Sequence, residues 1–332
     1  MYCRKGKRSR LCYWSVGDEN SSSSPNQKGF DRFYGYLDQK NAHSYYPQYL
    51  VSDNQKEILN KKKYSHDLII DEAFKFIKKN KDKPFFAYLP ITLPHAKYHM
   101  PKKYYQQFEG KFGKGKVAKT CEVYAGMMTL VDKNIGDLFK LLKDLNIDDK
   151  TVVFLTTDNG ASKSPCLKFF NSTGAYKGLK RQLHEGGIKV PLIAHYPAKI
   201  KANTTSNLRS GFQDLMPTFC SLAGVTPPKN INGISMLPEM FGNPADQKIH
   251  KYLYWEFEGD RAIIFDSGWK LLDLRINKRR KRDKNSIELY NLNTDPTEQK
   301  NLAKYFPEKL IKGFNLMDKA HVYNSRYKLN DE

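Results

Sequence analysis

Three short stretches carry residue types that could do chemistry. Asp158-Asn159-Gly160 sets a carboxylate beside an amide carbonyl, two hard oxygen donors of the kind Ca²⁺ or Mg²⁺ takes. The same triplet is a favoured turn sequence, and on these three residues alone the turn reading is the stronger. Pro94-His95 offers an imidazole that can donate to an oxyanion or act as an acid. A loop histidine bonded to backbone is the plainer reading there, and His99 stands close by as a second imidazole. The third stretch runs over residues 176–191. It places Lys177, Lys180 and Arg181 within five residues, among glycines that allow close backbone approach. Lys180 would be a compact point charge for a tetrahedral anion. A basic surface loop before a strand is the alternative, and the length of the stretch argues against it.

Each stretch needs an element to position it. Residues 66–80 repeat at helical period, with Leu68, Ile69, Ala73, Phe76 and Ile77 on one stripe. Pro84 and Pro90 then bracket a short apolar strand at 85–89, which leaves His95 on the loop beyond its carboxyl end. Residues 118–145 read as a long helix through Tyr124, Met127, Met128, Val131, Ile135, Leu138, Phe139 and Leu142. Met127 and Met128 read as core filler rather than a ligand pair. Residues 151–157 are apolar and β-branched without alternation. That predicts a central parallel strand buried on both faces, ending at Asp158-Asn159.

A strand at 191–196 and a helix at about 213–223 follow. From 250 onward the texture changes to short strands at 252–257, 261–266 and 270–274, then a last helix at about 307–320. Alternating helix and strand over the first two-thirds predicts an α/β fold with a mostly parallel central sheet flanked by helices. The last third predicts a smaller antiparallel α+β subdomain. The expected division is an irregular segment at 1–28, the α/β domain at 29–245 and the subdomain at 246–332.

Composition bounds the rest. The chain has 332 residues, 39% hydrophobic and 13% aromatic, which excludes wholesale disorder. No apolar run approaches the roughly 20 residues of a membrane helix. Lys+Arg exceeds Asp+Glu by 21, an excess that attracts polyanions without choosing among them. Part of it is local, in runs at 61–63 and 278–284. Nucleic acid is not expected as a partner, since no helix-turn-helix, RRM, KH or zinc module is present. The cysteines, Cys3, Cys12, Cys121, Cys166 and Cys220, are odd in number and lack C-x-x-C spacing, which speaks against a zinc ribbon or a dense disulfide framework. Three N-x-S/T sequons lie at Asn20, Asn171 and Asn203.

Taken in order, several segments resemble the sulfatase family, the formylglycine-dependent sulfuric-ester hydrolases of the alkaline phosphatase superfamily. They are the stretch 28–36, the strand 84–89 leading to Pro94-His95, Thr157-Asp158-Asn159-Gly160, and 178–191 with its His184-Glu185-Gly186-Gly187 core. Asp214-Leu215-Met216-Pro217-Thr218 and 289–303 complete the series. The resemblance is closest in flavour to the arylsulfatase and N-acetylgalactosamine-6-sulfatase branch. It implies an alkaline-phosphatase-like fold and a sulfated small molecule or sulfated glycan as partner. It further implies Ca²⁺ on Asp158 and Asn159, with Lys180 and His95 as catalytic residues on the sulfate. It also implies a lysosomal, secreted or periplasmic location.

The departures are as specific. The family's first Asp pair, half of its calcium site, has no counterpart, and neither C-x-P-S-R nor S-x-P-S-R, the source of formylglycine, occurs. Tyr13-Trp14 stands where the family has Lys-Trp. The expectation is a sulfatase lacking its amino-terminal portion and inactive as this polypeptide. A non-catalytic remnant that binds sulfated glycans or other polyanions, and a phosphatase or phosphonate hydrolase of the same superfamily, are the rival readings.

Overall fold

A computed structural model describes residues 9–14, 22–95, 97–274 and 286–324. The basic run at 278–284 lies outside the described residues. The chain forms two compact units. One holds Met1–Val152, Tyr196–Lys199 and Cys220–Pro227; the other holds Val153–His195, Ile200–Phe219 and Pro228–Glu332. No described helix is long and apolar enough to cross a membrane.

The first unit is built on a five-stranded sheet of β1 (Ser9–Trp14), β2 (Arg32–Tyr36), β3 (Tyr49–Ser52), β4 (Gln55–Ile58) and β5 (Phe85–Tyr88), in the order β4-β3-β2-β1-β5. It is parallel where β1 pairs with β2 and β5, and antiparallel along β2-β3-β4. The irregular reading of residues 1–28 is therefore corrected for 9–14. That segment has no period of its own, but parallel ladders on both sides make it a strand, and sheet context outweighs local propensity. Arg32 ties the sheet to its helix. Its guanidinium lies 2.7 Å from Asp53 Oδ2 and 2.8 Å from Glu72 Oε1, and Asp53 also accepts from the Phe33 amide at 2.7 Å.

Helix Ser65–Asn80 buries Ile69, Ile70, Ala73, Phe76 and Ile77, one turn of the stripe shifted from Leu68 to Ile70. Helix Lys116–Asp144 buries Val123, Met127 and Leu130, while Met128 points outward at 44% exposure. Met127 thus fills the core as expected; Met128 does not. The reason is Gly126, where an added Cβ would stand 2.5 Å from Tyr105 Cβ. Neighbouring chain packs against that face, which turns Met128 away from it. Met127, Val123 and Leu130 form a cluster with Tyr45, Tyr64, Leu93 and Met100, so this helix supports the loop that carries His95.

In the second unit, β6 (Val153–Thr156) pairs antiparallel with β7 (Leu192–His195), from Val153 opposite His195 to Thr156 opposite Leu192. This corrects the expectation of a central parallel strand buried on both faces: Leu155 is 37% and Ile193 57% exposed. An unbroken apolar run does not encode the direction of its partner. Here the chain returns through residues 158–190 and arrives running the other way.

The remaining strands, β8 (Tyr252–Phe257), β9 (Asp260–Phe265), β10 (Trp269–Asp273) and β11 (Ile287–Asn291), form an antiparallel sheet in the order β11-β10-β9-β8, the three expected strands joined by a fourth, β11, that was not expected. Side chains alternate between its two faces. Ile263, Phe265, Leu271 and Leu289 meet Leu310, Phe314 and Met317 of helix Pro307–Ala320. Ala262, Ile264, Leu272 and Tyr290 meet Leu183 and Ile188 on the other side. That second face holds the basic loop in place. Cys121 and Cys166 are each disulfide-bonded, and Cys220 is a buried thiol.

Candidate functional site

β6 ends at Thr156 and releases Asp158 and Asn159 at its carboxyl end. The next two residues are fixed by backbone. The Gly160 amide donates to Gly187 O at 3.0 Å, and the Lys180 amide donates to Ala161 O at 2.9 Å. These bonds set the backbone just after Asp158-Asn159 against the segment that carries Lys180. Glycine is required for the approach. A Cβ on Gly160 would lie 1.9 Å from Gly186 O, and one on Gly186 would lie 2.4 Å from Gly178 O.

Lys180 sits in a tight turn. The Gln182 amide donates to Leu179 O and the Gln182 side chain accepts from the Leu179 amide, both at 2.9 Å, with Arg181 in the left-handed region at φ 73°. Left-handed backbone at a residue with a side chain costs energy and concentrates where function holds it. Among the described residues, none forms a hydrogen bond or ion pair with the Lys180 ammonium or the Asp158 carboxylate.

The other cations of the loop are engaged. Lys177 Nζ donates to Glu288 Oε2 and to Tyr290 Oη, both at 2.9 Å, and Lys189 Nζ lies 3.0 Å from Tyr176 Oη. His184 Nε2 is 2.7 Å from the same Glu288 oxygen, and Tyr290 donates to it at 2.6 Å. Burial alone would raise the Glu288 carboxyl. The hydrogen bonds from His184, Tyr290 and Lys177 outweigh it and hold the group down to about 2. Burial and this carboxylate both push the Tyr290 hydroxyl up.

Beneath lies Lys270, fully buried, with its ammonium 2.8 Å from Glu185 Oε1 and 2.8 Å from Glu298 Oε1. The second contact is an ion pair by distance, at an angle that leaves Glu298 Oε1 without a hydrogen bond. The other Glu298 oxygen accepts the Glu185 amide at 2.7 Å. Lys177, His184 and Glu185 therefore hold the loop to the C-terminal sheet, and Lys180 takes no part in those bonds. Asp214, in the 214–218 stretch, is fully committed to scaffold work. It accepts from the Gly211 and Ile234 amides at 2.8 and 2.7 Å and meets His250 Nε2 at 2.8 Å.

His95 belongs to the first unit. The Leu93–Pro94 peptide before it is cis. The buried Tyr45 hydroxyl donates to Thr92 O at 3.1 Å and to His95 O at 2.7 Å, and the His95 amide donates to Thr92 O at 2.9 Å. The His95 ring is exposed and meets the His43 ring edge-on, with centroids 4.9 Å apart.

Residues 10–225 match the family profile described as Sulfatase. The chain belongs to the sulfatase family. Residues 175–319 of this sulfatase also match the profile of the N-sulphoglucosamine sulphohydrolase C-terminal region, so both units carry the family signal. It is 33% identical over 188 residues to the N-acetylgalactosamine-6-sulfatase of Canis lupus familiaris, covering 55% of this chain and 34% of the relative. The chain thus spans about a third of the length of that relative. Among solved structures, the PsFucS1 sulfatase from Pseudoalteromonas sp. superposes with TM-score 0.73 at 21% identity, covering 95% of this chain and 70% of that one. BT4656 in complex with its substrate D-glucosamine-2-N,6-O-disulfate superposes with TM-score 0.74 at 19% identity, covering 94% and 79%. Those two likenesses establish the fold, which agrees with the alkaline-phosphatase-like expectation.

Lys270, Glu288, Tyr290 and Glu298 were not anticipated as supports of the site. One signal was available. Lys270 and Glu288 each occupy a strand face whose other members are apolar, and a charge at such a position needs a partner.

Proposed function

We propose that this sulfatase recognises a sulfuric ester of a sugar, with Lys180 and His95 as the groups that meet the sulfate. The supporting observation is the pair of backbone bonds that sets Asp158-Asn159 beside Lys180 while Lys177 and Lys189 are drawn off to other partners. Lys180 would pair with the sulfate and leaving-group oxygens, where negative charge grows as the ester bond breaks. His95, held through its own carbonyl by Tyr45, would donate a hydrogen bond to the ester oxygen.

Asp158 and Asn159 fit a Ca²⁺ ion in kind, being hard oxygen donors at a strand end with an unpaired carboxylate. They fit it in part by number, since calcium takes about six to eight oxygens. Among the described residues no group of three or more His, Cys, Asp or Glu gathers to hold a metal. A bound Ca²⁺ would add positive charge against the sulfate. A relative's name, N-acetylgalactosamine-6-sulfatase, supports a 6-sulfated amino sugar, or a glycan that contains one, as the substrate class. The finer reading is that this 332-residue polypeptide binds such an ester without turning it over, because no residue in it stands in the C-x-P-S-R or S-x-P-S-R pattern.

Calorimetric titration of the purified chain with N-acetylgalactosamine-6-sulfate, in Ca²⁺, tests the recognition. The expected result is binding that Lys180→Ala weakens by about tenfold or more, the scale of a lost charge-assisted contact. Equal affinity in wild type and Lys180→Ala would overturn it. A chromogenic aryl sulfate tests the finer reading: chelator-sensitive release of the aryl group would show that the chain is itself a catalyst.

A further inference from the structure

Beside the His95 loop, the first unit has a recess of about 390 Å³ lined by Ser44, Tyr46, Lys61 and His99. It adjoins the candidate sulfate histidine through the chain itself, since Ser44 follows His43, whose ring contacts His95. Each wall is held in place. Tyr46 is braced by Tyr64 at a centroid distance of 5.5 Å, and the His99 ring lies against it at 4.7 Å and 42°. The Ser44 hydroxyl donates to Tyr46 O at 3.0 Å and so fixes the segment that carries the aromatic ring.

Lys61 is the unusual member. It lies in a tight turn closed by the Lys62 amide on Leu59 O, with Asn60 at φ 51° and Lys61 at φ 58°. Two consecutive left-handed residues make a turn that favours Asn-Gly, and Lys61 stands at the glycine position. The backbone is locked there by the Asn60 amide on Gln48 O and the Lys61 amide on Pro47 O, both at 3.1 Å. A lysine is thus kept where glycine would be easier. Among the described residues no carboxylate pairs with its ammonium. A strained backbone that fixes one unpaired cation at the rim of an aromatic recess is a reason to look for an anion.

We propose that this recess is a subsite for an acidic sugar next to the sulfated one. Tyr46 offers the ring against which an apolar pyranose face packs. Lys61 pairs with a carboxylate or sulfate on that sugar, and His99 and Ser44 supply polar edges. The inference rests on His95 meeting the sulfate ester, and it narrows the substrate from a single sulfated sugar to an oligosaccharide with an anionic neighbour.

The test compares two probes on the full chain by calorimetry: N-acetylgalactosamine-6-sulfate and a chondroitin-6-sulfate tetrasaccharide, in which uronates alternate with the sulfated sugar. Wild type is expected to prefer the tetrasaccharide. Lys61→Gly suits the turn, so its melting temperature should equal or exceed that of wild type. Its preference for the tetrasaccharide should fall roughly three- to tenfold, the worth of one charge-assisted contact. His95→Ala should weaken both probes together. If His95→Ala weakens both while Lys61→Gly keeps the full preference, the subsite is wrong and the sulfate reading stands. If His95→Ala changes neither probe, the sulfate reading fails and the subsite with it. The same chondroitin-6-sulfate tetrasaccharide with its uronates reduced to neutral sugars separates the two anions: loss of the preference assigns Lys61 to the carboxylate, and retention assigns it to sulfate.

Discussion

Replacing Lys270 by Met tests the ionic support of the basic loop. The ammonium is fully buried between Glu185 and Glu298, and both of these are buried too. Removing the cation leaves two carboxylates out of water, 2.8 Å from a group that has become a thioether. Breaking a buried pair in this way costs about 3–5 kcal/mol. A unit of this size loses about 2–4 °C of melting temperature per kcal/mol, so Lys270→Met should melt about 6–20 °C lower. A triple variant, Lys270→Met with Glu185→Gln and Glu298→Gln, removes the stranded charges and should regain roughly half of that loss. Thermal unfolding followed by circular dichroism at neutral pH measures both. A drop of less than about 3 °C in Lys270→Met would refute the reasoning, because it would mean that water reaches the two carboxylates and the triad carries little of the loop's stability.

Glu288, held near 2 against an ordinary value of 4.5, stabilises the fold as a carboxylate above about 4.5, and this contribution is lost as pH falls toward about 2. Urea unfolding at stepped pH should show that acid limb in wild type and a flatter one in Glu288→Gln. Gly160→Ala would place a methyl 1.9 Å from Gly186 O, and such overpacking costs roughly 1–3 kcal/mol. It should also shift Lys180 enough to weaken sulfate-ester binding, whereas a wild-type affinity would show that the loop yields freely. Tyr45→Phe strips a buried donor from two carbonyls and should cost about 1–3 kcal/mol in a denaturant titration, with a matching loss of affinity through the misplaced His95 loop.

The helices at 65–80 and 116–144 were legible because an apolar stripe at period 3.6 is local information. The last third was legible as a change to short strands after residue 250, though not by alternation, since β9 is buried at every position. The direction of β6 was not legible. Thr151 to Thr157 carry no alternation, and the ladder to β7 is set by the loop that intervenes. β1 was hidden for a related reason, since its neighbours β2 and β5 make it a strand. Of the candidate site, Asp158, Asn159, Lys180 and His95 stood out as motif residues. Their supports did not, because Lys177 and Glu288 stand 111 positions apart and no spacing rule reaches that far. Tyr45, fifty positions before His95, is the same case on a smaller scale.

The two-sided sheet of β8 to β11 changes what the carboxyl-terminal third is for. Cutting the chain after residue 245 would strip Lys177, His184 and Glu185 of every carboxylate, phenol and ammonium that now anchors them, though the cut falls more than sixty residues beyond Lys180. Such a shortened protein would keep the sequence of the 176–191 loop and lose the rigidity that gives it a shape. The terminal sheet is in that sense the mould in which the basic loop is cast.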